Sequence, residues 1–235
     1  MMPIFPVTAP TFLKTTTGED FPVARVFCVG RNYAAHAREM GHDPDREPPF
    51  FFTKWAETVI NADPSDEAVI AYPSETGNYH HEAELVVAIG KPGFRIPVDE
   101  AAGYVYGLAT GLDMTRRDLQ AQAREKGRPW DTGKNVEQSC PTGRLMPIGE
   151  NGLIESGEIK LTVNGETRQQ ADLDELIWSV PEVIADLSRF YHLRPGDLIY
   201  TGTPAGVGPV QPGDTVFVTI AGLPSLAVAI GDHTR

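Results

Sequence analysis

Glycine and proline interrupt this sequence at short intervals, which limits the length of any helix or strand. The 235 residues contain 23 glycines and 20 prolines. Both residue types end regular structure, so the chain favours strands and turns over long helices. Short strand-like runs recur along it, among them ARVFCVG, FFFTKW, AVIAYP and ELVVAIG. The sequence therefore predicts a β-rich α+β domain with a few short helices.

Longer patterned segments agree with this fold class. The stretch 158–170 places Asn164-Gly165 between two strand-like arms, which indicates a β-hairpin. Residues 179–193 predict a helix with Pro181 at its start. Its apolar side chains recur at helical spacing at Val183, Ile184, Leu187 and Phe190. The continuous apolar run of 84–90 predicts a strand that is buried on both faces.

The length of the chain suits one domain, or one domain with a small appendage. We expect an N-terminal segment at 1–22, followed by a catalytic domain at 23–235. The chain is acidic, with a net charge of −12. Such a chain repels phosphate backbones, so nucleic acid is not expected as a partner. A small anionic substrate remains compatible with this charge if a cation or a basic cluster offsets it.

Cysteine usage and hydropathy bear on the cellular compartment. Cys28 and Cys140 belong to no CxxC motif and cannot build a disulfide framework, so we expect buried thiols in a reducing, cytoplasmic setting. The N-terminus lacks the pattern of a signal peptide. No stretch reaches the ~20 apolar residues that a membrane helix requires, so no membrane association is expected.

The segment YHHEAELVV at 79–87 carries two acids where a strand enters the core. Glu82 and Glu84 lie two residues apart and share one face of the strand with His80. Side-by-side carboxylates repel, and burial increases the repulsion, so a positive charge must offset them. A hard divalent cation does this through oxygen ligands, whereas the sequence offers no complete tetrahedral set for zinc. An exposed strand with alternating acids is the alternative, but the following LVVAIG argues against exposure.

Further residues complete or flank this candidate centre. Asp113 follows an apolar strand-like run and precedes a helix, so it is the third candidate carboxylate. His80 and His81 are either additional ligands or part of a pocket wall. His36 and Glu39 share a face of a short predicted helix, either as a solvated pair or as a dyad that takes a proton from water.

Six motifs in order give the sequence a specific resemblance. They are CVGRNYAAHAREMG, HHEAELVVAIG, GLDMTRRDLQ, GKNVEQSCPTG, LTVNGETRQ and YTGTPAGVGP. Together they resemble the fumarylacetoacetate hydrolase family over nearly everything after residue 26, and within it the acylpyruvase and fumarylpyruvate hydrolase branch. The resemblance implies a mixed β-sandwich roll, usually dimeric. It also implies Mg²⁺ or Mn²⁺ held by the carboxylates at Glu82, Glu84 and Asp113.

The resemblance also assigns expected roles to residues around the metal. It implies a lid helix at about 32–41 that carries His36 and Glu39. Substrate-side polar groups fall on Arg117, Gln120, Lys134 and Thr203. The segment GKNVEQSC departs from the family, in which Ser-Phe-Asp commonly follows the lysine, so no role is transferred to its Asn135 or Val136.

The expected activity is metal-dependent hydrolysis of a C–C bond in acylpyruvates, with fumarylpyruvate as the leading substrate. One alternative is oxaloacetate decarboxylation or dienoate isomerisation through the same metal-stabilised enolate. Another is a ligand-binding family member without catalysis. A homodimer is expected from the resemblance alone, and aromatic catabolism is the expected metabolic setting.

Overall fold

The computed structural model of the chain describes residues 3–6, 8–39, 47–149 and 152–233, with the side chains of 37–39 also outside the described part. Within it the strands are β1 (Phe12–Lys14), β2 (Asp20–Pro22), β3 (Arg25–Gly30), β4 (Phe50–Lys54), β5 (Val59–Asn61), β6 (Val69–Tyr72), β7 (Tyr79–His81), β8 (Ala83–Ile89), β9 (Val105–Leu112), β10 (Thr115–Arg116), β11 (Cys140–Thr142), β12 (Met146–Pro147), β13 (Glu158–Val163), β14 (Glu166–Asp172), β15 (Asp197–Tyr200), β16 (Gly208–Pro209), β17 (Thr215–Ile220) and β18 (Leu226–His233).

Helices in the described residues are short, as the glycine and proline content predicts. The α-helices are α1 (Ala34–Glu39), α2 (Arg117–Glu125), α3 (Asp131–Lys134) and α4 (Val180–Phe190). Single turns of 3-10 helix lie at Ala56–Thr58, Pro64–Asp66 and Leu173–Glu175, and a longer one at Val98–Tyr104. In this part of the chain no helix has both the length and the apolar character that crossing a lipid bilayer requires.

Two sheets form the body of the domain. The larger has the strand order β4-β3-β15-β8-β9-β11-β5, with β12 pairing to β9. It is mixed, because β15–β3 and β11–β5 are parallel while β8–β9, β15–β8 and β3–β4 are antiparallel. The smaller sheet has the order β14-β13-β17-β18-β6. One apolar cluster contains side chains from both sheets and from α4. This architecture confirms the predicted β-rich α+β class.

Strand β8 lies at the centre of the packing. Its odd-numbered residues, Leu85 and Val87, belong to the apolar cluster shared with the smaller sheet. Its even-numbered residues, Val86 and Ala88, belong to a second cluster on the opposite face. Every residue of β8 is buried, which confirms the prediction from its continuous apolar run. Glu84 is part of this strand and therefore enters the protein interior with it.

The N-terminal segment packs on this body. Strands β1 and β2 pair with each other, and Leu13 of β1 is completely buried. Backbone hydrogen bonds join the Leu145 N–H to Lys14 O at 2.9 Å and the Thr16 N–H to Leu145 O at 3.0 Å. The domain boundary expected after residue 22 stays a prediction.

Helix α1 begins from a fixed anchor. The Asn32 side chain donates to Trp178 O at 2.9 Å and to Thr201 O at 2.8 Å, and its oxygen accepts from the Trp178 N–H at 2.8 Å. These bonds tie the start of α1 to the segment before α4 and to the end of β15. The lid role expected for 32–41 stays a prediction, and residues 40–41 lie outside the described part.

Two side-chain predictions have different outcomes. Cys28 and Cys140 are completely buried, as expected. In α4, the residues Val183, Ile184 and Leu187 are buried, but Phe190 is 63% exposed. The predicted helix 179–193 ends at Phe190, so the last apolar position of the pattern turns away from the core.

The hairpin at 158–170 forms as the sequence predicts, and its turn generates a test. Asn164 and Gly165 have φ values of 52° and 82°, and a Cβ added at Gly165 would contact nothing. Gly165→Ala should therefore lower the free energy of unfolding by about 1 kcal/mol through backbone strain alone. Urea denaturation measures this. Gly77→Ala is the matched control, because Gly77 has equal space without a left-handed φ; equal losses in both variants would contradict the account.

Candidate metal centre and active site

Two neighbouring strands of the larger sheet bring the acidic residues together. Glu82 lies directly before β8, and Asp113 lies directly after β9. Because β8 and β9 are antiparallel, with Ala83 opposite Leu112, these two positions meet at the same edge. The Asp113 N–H donates to Glu82 O at 2.9 Å, which extends the ladder by one more step. Distant parts of the sequence thus meet because the strands pair.

The three carboxylates form one buried cluster. Glu82, Glu84 and Asp113 each offer a carboxylate oxygen, and these oxygens lie within 4.8 Å of one another. The residues are only 4%, 2% and 0% exposed. Oxygen-only ligation by carboxylates is the donor set that Mg²⁺ and Mn²⁺ prefer. The cluster is therefore suited in chemistry and spacing to one divalent cation.

Three basic side chains compensate the acids. Lys134 Nζ lies 2.6 Å from a Glu82 oxygen and 2.6 Å from Asp113 Oδ2. Lys54 Nζ lies 2.6 Å from Asp113 Oδ1. The Arg117 guanidinium pairs with the other oxygen of Glu82. Buried charges are stable only when they are paired in this way.

The compensation is unequal, and the pKa values reflect it. Burial acts to raise the pKa of Glu82, but Lys134 and Arg117 outweigh it and hold the pKa well below its usual range. Within the described part of the chain, Glu84 has no basic partner as near. Burial and the charges of Asp113 and Glu82 raise its pKa well above the usual value. Glu84 is thus the acid that most lacks a cation.

Lys54 is a site residue that the sequence reasoning missed. It ends β4 and is only 3% exposed. Besides its bond to Asp113, its ammonium group donates to Met114 O and Ser139 O, both at 3.1 Å. Burial lowers the pKa of this lysine, and Asp113 reverses the effect and raises it. Lys54 thus holds one oxygen of Asp113 and leaves the other facing Lys134.

The segment after β15 fixes the remaining acid and places Thr203. The Gly202 N–H donates to a Glu84 oxygen at 2.8 Å. Gln169 of β14, also missed by the sequence reasoning, donates to Thr203 Oγ1 at 2.8 Å and to Pro204 O at 2.8 Å. It is 1% exposed and also accepts from the Ala83 N–H at 3.0 Å. Gln169 therefore joins the smaller sheet to the loop that carries Thr203.

A cavity opens beside the carboxylates, with about 590 Å³ of space between atoms including its open mouth. The sequence-predicted residues that line it are His36, Glu82, Glu84, Asp113, Arg117, Gln120, Lys134 and Thr203. Val29, Gly30, Arg31, Phe52, Ala121, Arg124 and Trp130 complete the lining. The structure therefore gathers the described predicted residues around one cavity, while their individual roles stay predictions.

Close packing between helices α2 and α3 positions the Lys134 ammonium group beside the carboxylates. A Cβ on Gly133 would lie 2.8–2.9 Å from the backbone nitrogen, Cα and Cβ of Gln120, so only glycine fits there. Lys134 follows it at the end of α3 and turns its ammonium group to the acids. On α2, Arg117 donates to Gln120 Oε1 at 2.5 Å, which leaves the amide nitrogen of Gln120 as a donor.

The histidines have separate surroundings. His36 on α1 is 6% exposed and lines the cavity, while the side chain of its predicted partner Glu39 lies outside the described part. Arg117 Nε lies 3.5 Å from Nδ1 of His80, whose other ring nitrogen bonds Asn78 at 2.8 Å. His81 contacts Gln169 at 3.3 Å.

The two neighbouring histidines do not join the carboxylate cluster. Burial lowers the pKa of both His80 and His81 to about 4, so both are neutral near pH 7. Among the described residues, the cluster of potential metal ligands contains the three carboxylates and neither histidine. Neither histidine is among the residues that line the cavity beside the triad. Instead, His80 contacts Arg117 and His81 contacts Gln169, so both expectations for these histidines stay predictions.

Comparison with known proteins agrees with this geometry. The family model for the C-terminal domain of fumarylacetoacetate (FAA) hydrolase matches residues 25–230. The chain is 50% identical over 194 residues to a fumarylpyruvate hydrolase of Ralstonia sp, covering 82% of this chain and 98% of that relative. It is 37% identical over 199 residues to a mitochondrial oxaloacetate decarboxylase of Dictyostelium discoideum, covering 85% and 89%.

A solved structure matches almost the whole chain. The crystal structure of fumarylpyruvate hydrolase from Pseudomonas aeruginosa, in complex with Mn²⁺ and pyruvate, superposes with a TM-score of 0.95. It has 53% sequence identity and covers 98% of this chain and 99% of the other. Since the family model spans most of the chain and these identities extend over nearly its full length, the chain belongs to the fumarylacetoacetate hydrolase family.

Proposed function

We propose that this protein is a divalent-metal-dependent hydrolase that cleaves a C–C bond in acylpyruvates, with fumarylpyruvate as the favoured substrate. The observation that carries the proposal is the buried triad of Glu82, Glu84 and Asp113 beside a cavity lined by polar groups. The relatives named fumarylpyruvate hydrolase, at 50% and 53% identity, support the same substrate.

The triad fits Mg²⁺ or Mn²⁺. Its three carboxylates offer hard oxygen donors, and among the described residues Glu84 has no salt-bridge partner. A cation placed among the three would offset the burial and the repulsion that raise the pKa of Glu84. Glu82, Glu84 and Asp113 would hold the ion. When bound, it supplies Lewis-acid stabilisation of negative charge on a chelating keto acid.

The remaining cavity residues supply hydrolysis in the proposed mechanism. His36 with Glu39 takes a proton from water, and the resulting hydroxide attacks the acyl carbonyl of the substrate. Lys134 and the amide nitrogen of Gln120 donate to the oxyanion that forms. The C–C bond to the pyruvoyl methylene then breaks, which releases a carboxylic acid and the enolate of pyruvate. Arg117 and Thr203 orient the anionic substrate.

Oxaloacetate decarboxylation is the second candidate. The 37% identity to a relative named oxaloacetate decarboxylase favours it, and the same acidic triad would serve it. Decarboxylation also produces the enolate of pyruvate but needs no attacking water. The two activities therefore differ in whether His36 and Glu39 are required.

We further propose a cytoplasmic homodimer that works in aromatic catabolism. Two buried free thiols suit a reducing compartment. Exposed apolar side chains border α4, with Phe190 at 63%, Val98 at 50% and Tyr191 at 41% exposure. Such a patch suits an interface between copies of the chain.

The substrate proposal predicts pyruvate release. Purified protein with Mg²⁺ or Mn²⁺ should release pyruvate and fumarate from fumarylpyruvate. Chelation should stop the reaction, because the Lewis acid that would stabilise negative charge on the bound keto acid is then removed. A lactate dehydrogenase-coupled assay measures pyruvate. Absence of pyruvate from both fumarylpyruvate and acetylpyruvate, with metal present, would refute the proposal.

The unequal charge compensation predicts opposite effects of two conservative substitutions in metal-free protein. At pH 7.5 in chelator, Glu84→Gln should raise the free energy of unfolding by about 1–3 kcal/mol, because it removes a poorly compensated buried charge. Glu82→Gln should lower it by about 3–5 kcal/mol, because Arg117 loses its carboxylate partner and Lys134 loses one of its two. Urea denaturation measures both.

Two controls sharpen this comparison. The gain from Glu84→Gln should shrink as the pH falls towards about 4.3, where an unfolded glutamate also becomes protonated. Saturating Mn²⁺ should raise the melting temperature of the wild type far more than that of Glu84→Gln. Shifts of the same sign in both metal-free variants would contradict the assignment of Glu84 as the uncompensated acid.

Glu39→Gln separates the two candidate activities. Fumarylpyruvate hydrolysis should fall by about 10²–10⁴-fold, because the dyad loses its carboxylate base. Oxaloacetate decarboxylation should stay within a few fold, since no water is activated. Initial rates of both reactions, measured on one preparation, give the comparison. If hydrolysis survives the substitution, the dyad role is wrong; if both reactions fall together, a shared step is affected.

A further inference from the structure

Two arginines that the proposed chemistry does not use line the same cavity. Arg31 follows β3, and Arg124 lies in the last turn of α2. Both belong to the cavity that holds the acidic triad. Arg117, in contrast, is already paired with Glu82 at the inner end. The cavity therefore has a basic group at depth and two more towards its outer part.

Arg31 is held in position by its backbone and by an aromatic wall. Its φ of 58° lies in the left-handed region, which non-glycine residues rarely adopt outside turns and functional sites. Its guanidinium carbon lies 5.3 Å from the centre of the Phe50 ring. That ring in turn meets the Trp130 ring edge-on, with centroids 5.4 Å apart. The arginine is thus packed against Phe50, whose ring contacts the cavity-lining Trp130.

The two guanidinium groups influence each other. Burial lowers the pKa of Arg31, the positive charge of Arg124 lowers it further, and Glu47 acts in the opposite direction. Two cations that repel across a cavity are stabilised by an anion that enters between them. Glu47 is exposed, so it offsets this repulsion only through a solvent-screened interaction.

The cavity-lining residues of α2 show how long a ligand must be to extend from the metal centre to the outer part of the cavity. Arg117, Gln120, Ala121 and Arg124 all line the cavity and form one stripe of the helix at the spacing i, i+3, i+4, i+7. Seven residues of α-helix rise about 10 Å, so the stripe leads from the metal centre to the outer part of the cavity. Arg117 is 9% exposed whereas Arg124 is exposed, which gives the same direction.

We propose that Arg31 and Arg124 form a subsite for the distal carboxylate of a dicarboxylic acylpyruvate. This rests on the proposed function, in which the keto-acid end lies at the triad. With C–C bonds of about 1.5 Å in an extended zigzag, the two carboxyl carbons of fumarylpyruvate lie roughly 8 Å apart. That length reaches from the triad end of the α2 stripe to Arg124. Guanidinium groups bind carboxylates through paired, charged hydrogen bonds.

The subsite sets a preference between substrates with identical chemistry. Acetylpyruvate presents the same keto-acid end but has a methyl group where fumarylpyruvate continues to a second carboxylate. Only the longer diacid reaches Arg31 and Arg124. The enzyme should therefore favour dicarboxylic acylpyruvates, and the preference should depend on these two side chains rather than on the acidic triad.

The test compares kcat/KM for the two substrates in three variants. Arg124→Met and Arg31→Asn should each lower kcat/KM for fumarylpyruvate by about 10- to 100-fold, as expected for a lost charged hydrogen bond, and change it less than threefold for acetylpyruvate. Asn is chosen at position 31 because it tolerates the left-handed backbone. Arg128→Met, an exposed arginine outside this cavity, removes the same charge nearby and should leave both substrates within threefold.

The outcomes are distinct. Equal losses for both substrates, or an equal loss in Arg128→Met, would overturn the subsite and indicate general electrostatic attraction, while the proposed function would stand. If neither substrate is turned over, the proposed function fails instead. In that case, the affinities of fumarylpyruvate and acetylpyruvate, measured by calorimetry in the presence of Mg²⁺, still test whether the carboxylate subsite exists. The subsite is supported if the protein binds fumarylpyruvate more tightly than acetylpyruvate and Arg124→Met abolishes this difference. Equal binding of the two acids by the unsubstituted protein overturns the subsite.

Discussion

Charge compensation among buried groups is the constraint on which this site depends. Three carboxylates with almost no exposure face three basic groups, Lys54, Lys134 and Arg117. Neither set could be buried alone, because an unpaired ion in the interior costs several kcal/mol at least. The pairing is uneven, however, because Glu84 accepts from the Gly202 N–H and forms no salt bridge with any described residue. A site built in this way is stable without a metal and still gains from one.

The sheet creates that compensation from segments far apart in the sequence. Glu82 and Asp113 meet because β8 and β9 are antiparallel neighbours, and Glu84 is held by the N–H of Gly202 after β15, the strand on the other side of β8. Lys54 arrives at the end of β4, at the edge of the same sheet. Lys134 comes from the short helix α3, whose close approach to α2 depends on Gly133. The acids thus come from the sheet, whereas the positive charge of Lys134 comes from the helical side of the cavity.

The sequence predicted those features that are marked by residues close to one another along the chain. The Glu-x-Glu pair, the hairpin turn and the buried strand β8 each depend on residues within a few positions, and all were found. Lys54 and Gln169 were missed because their partners, Asp113 and Thr203, are 59 and 34 residues away and no local pattern marks them. A lysine at the end of an apolar strand was the available signal for Lys54. The predicted helix 179–193 ends instead at Phe190, which is 63% exposed, since helical spacing alone cannot tell where a helix ends and leaves the core.

The charge count also bears on which ligand the cavity suits. The three carboxylates and the three basic groups around them balance in charge, so a divalent ion bound among them would leave two excess positive charges at the inner end of the cavity. The keto-acid carboxylate of a substrate would cancel one of these charges. In the proposed mechanism the remaining positive charge would lie where an oxyanion and then an enolate develop, which is where preorganised charge accelerates a reaction most. In the outer part of the cavity the positive charge of Arg124 lowers the pKa of Arg31, and a second carboxylate bound between the two guanidinium groups would relieve this repulsion. A long dicarboxylic keto acid such as fumarylpyruvate matches both the metal centre and the Arg31–Arg124 pair. Oxaloacetate also carries two carboxylates, but its chain is too short to reach from one to the other.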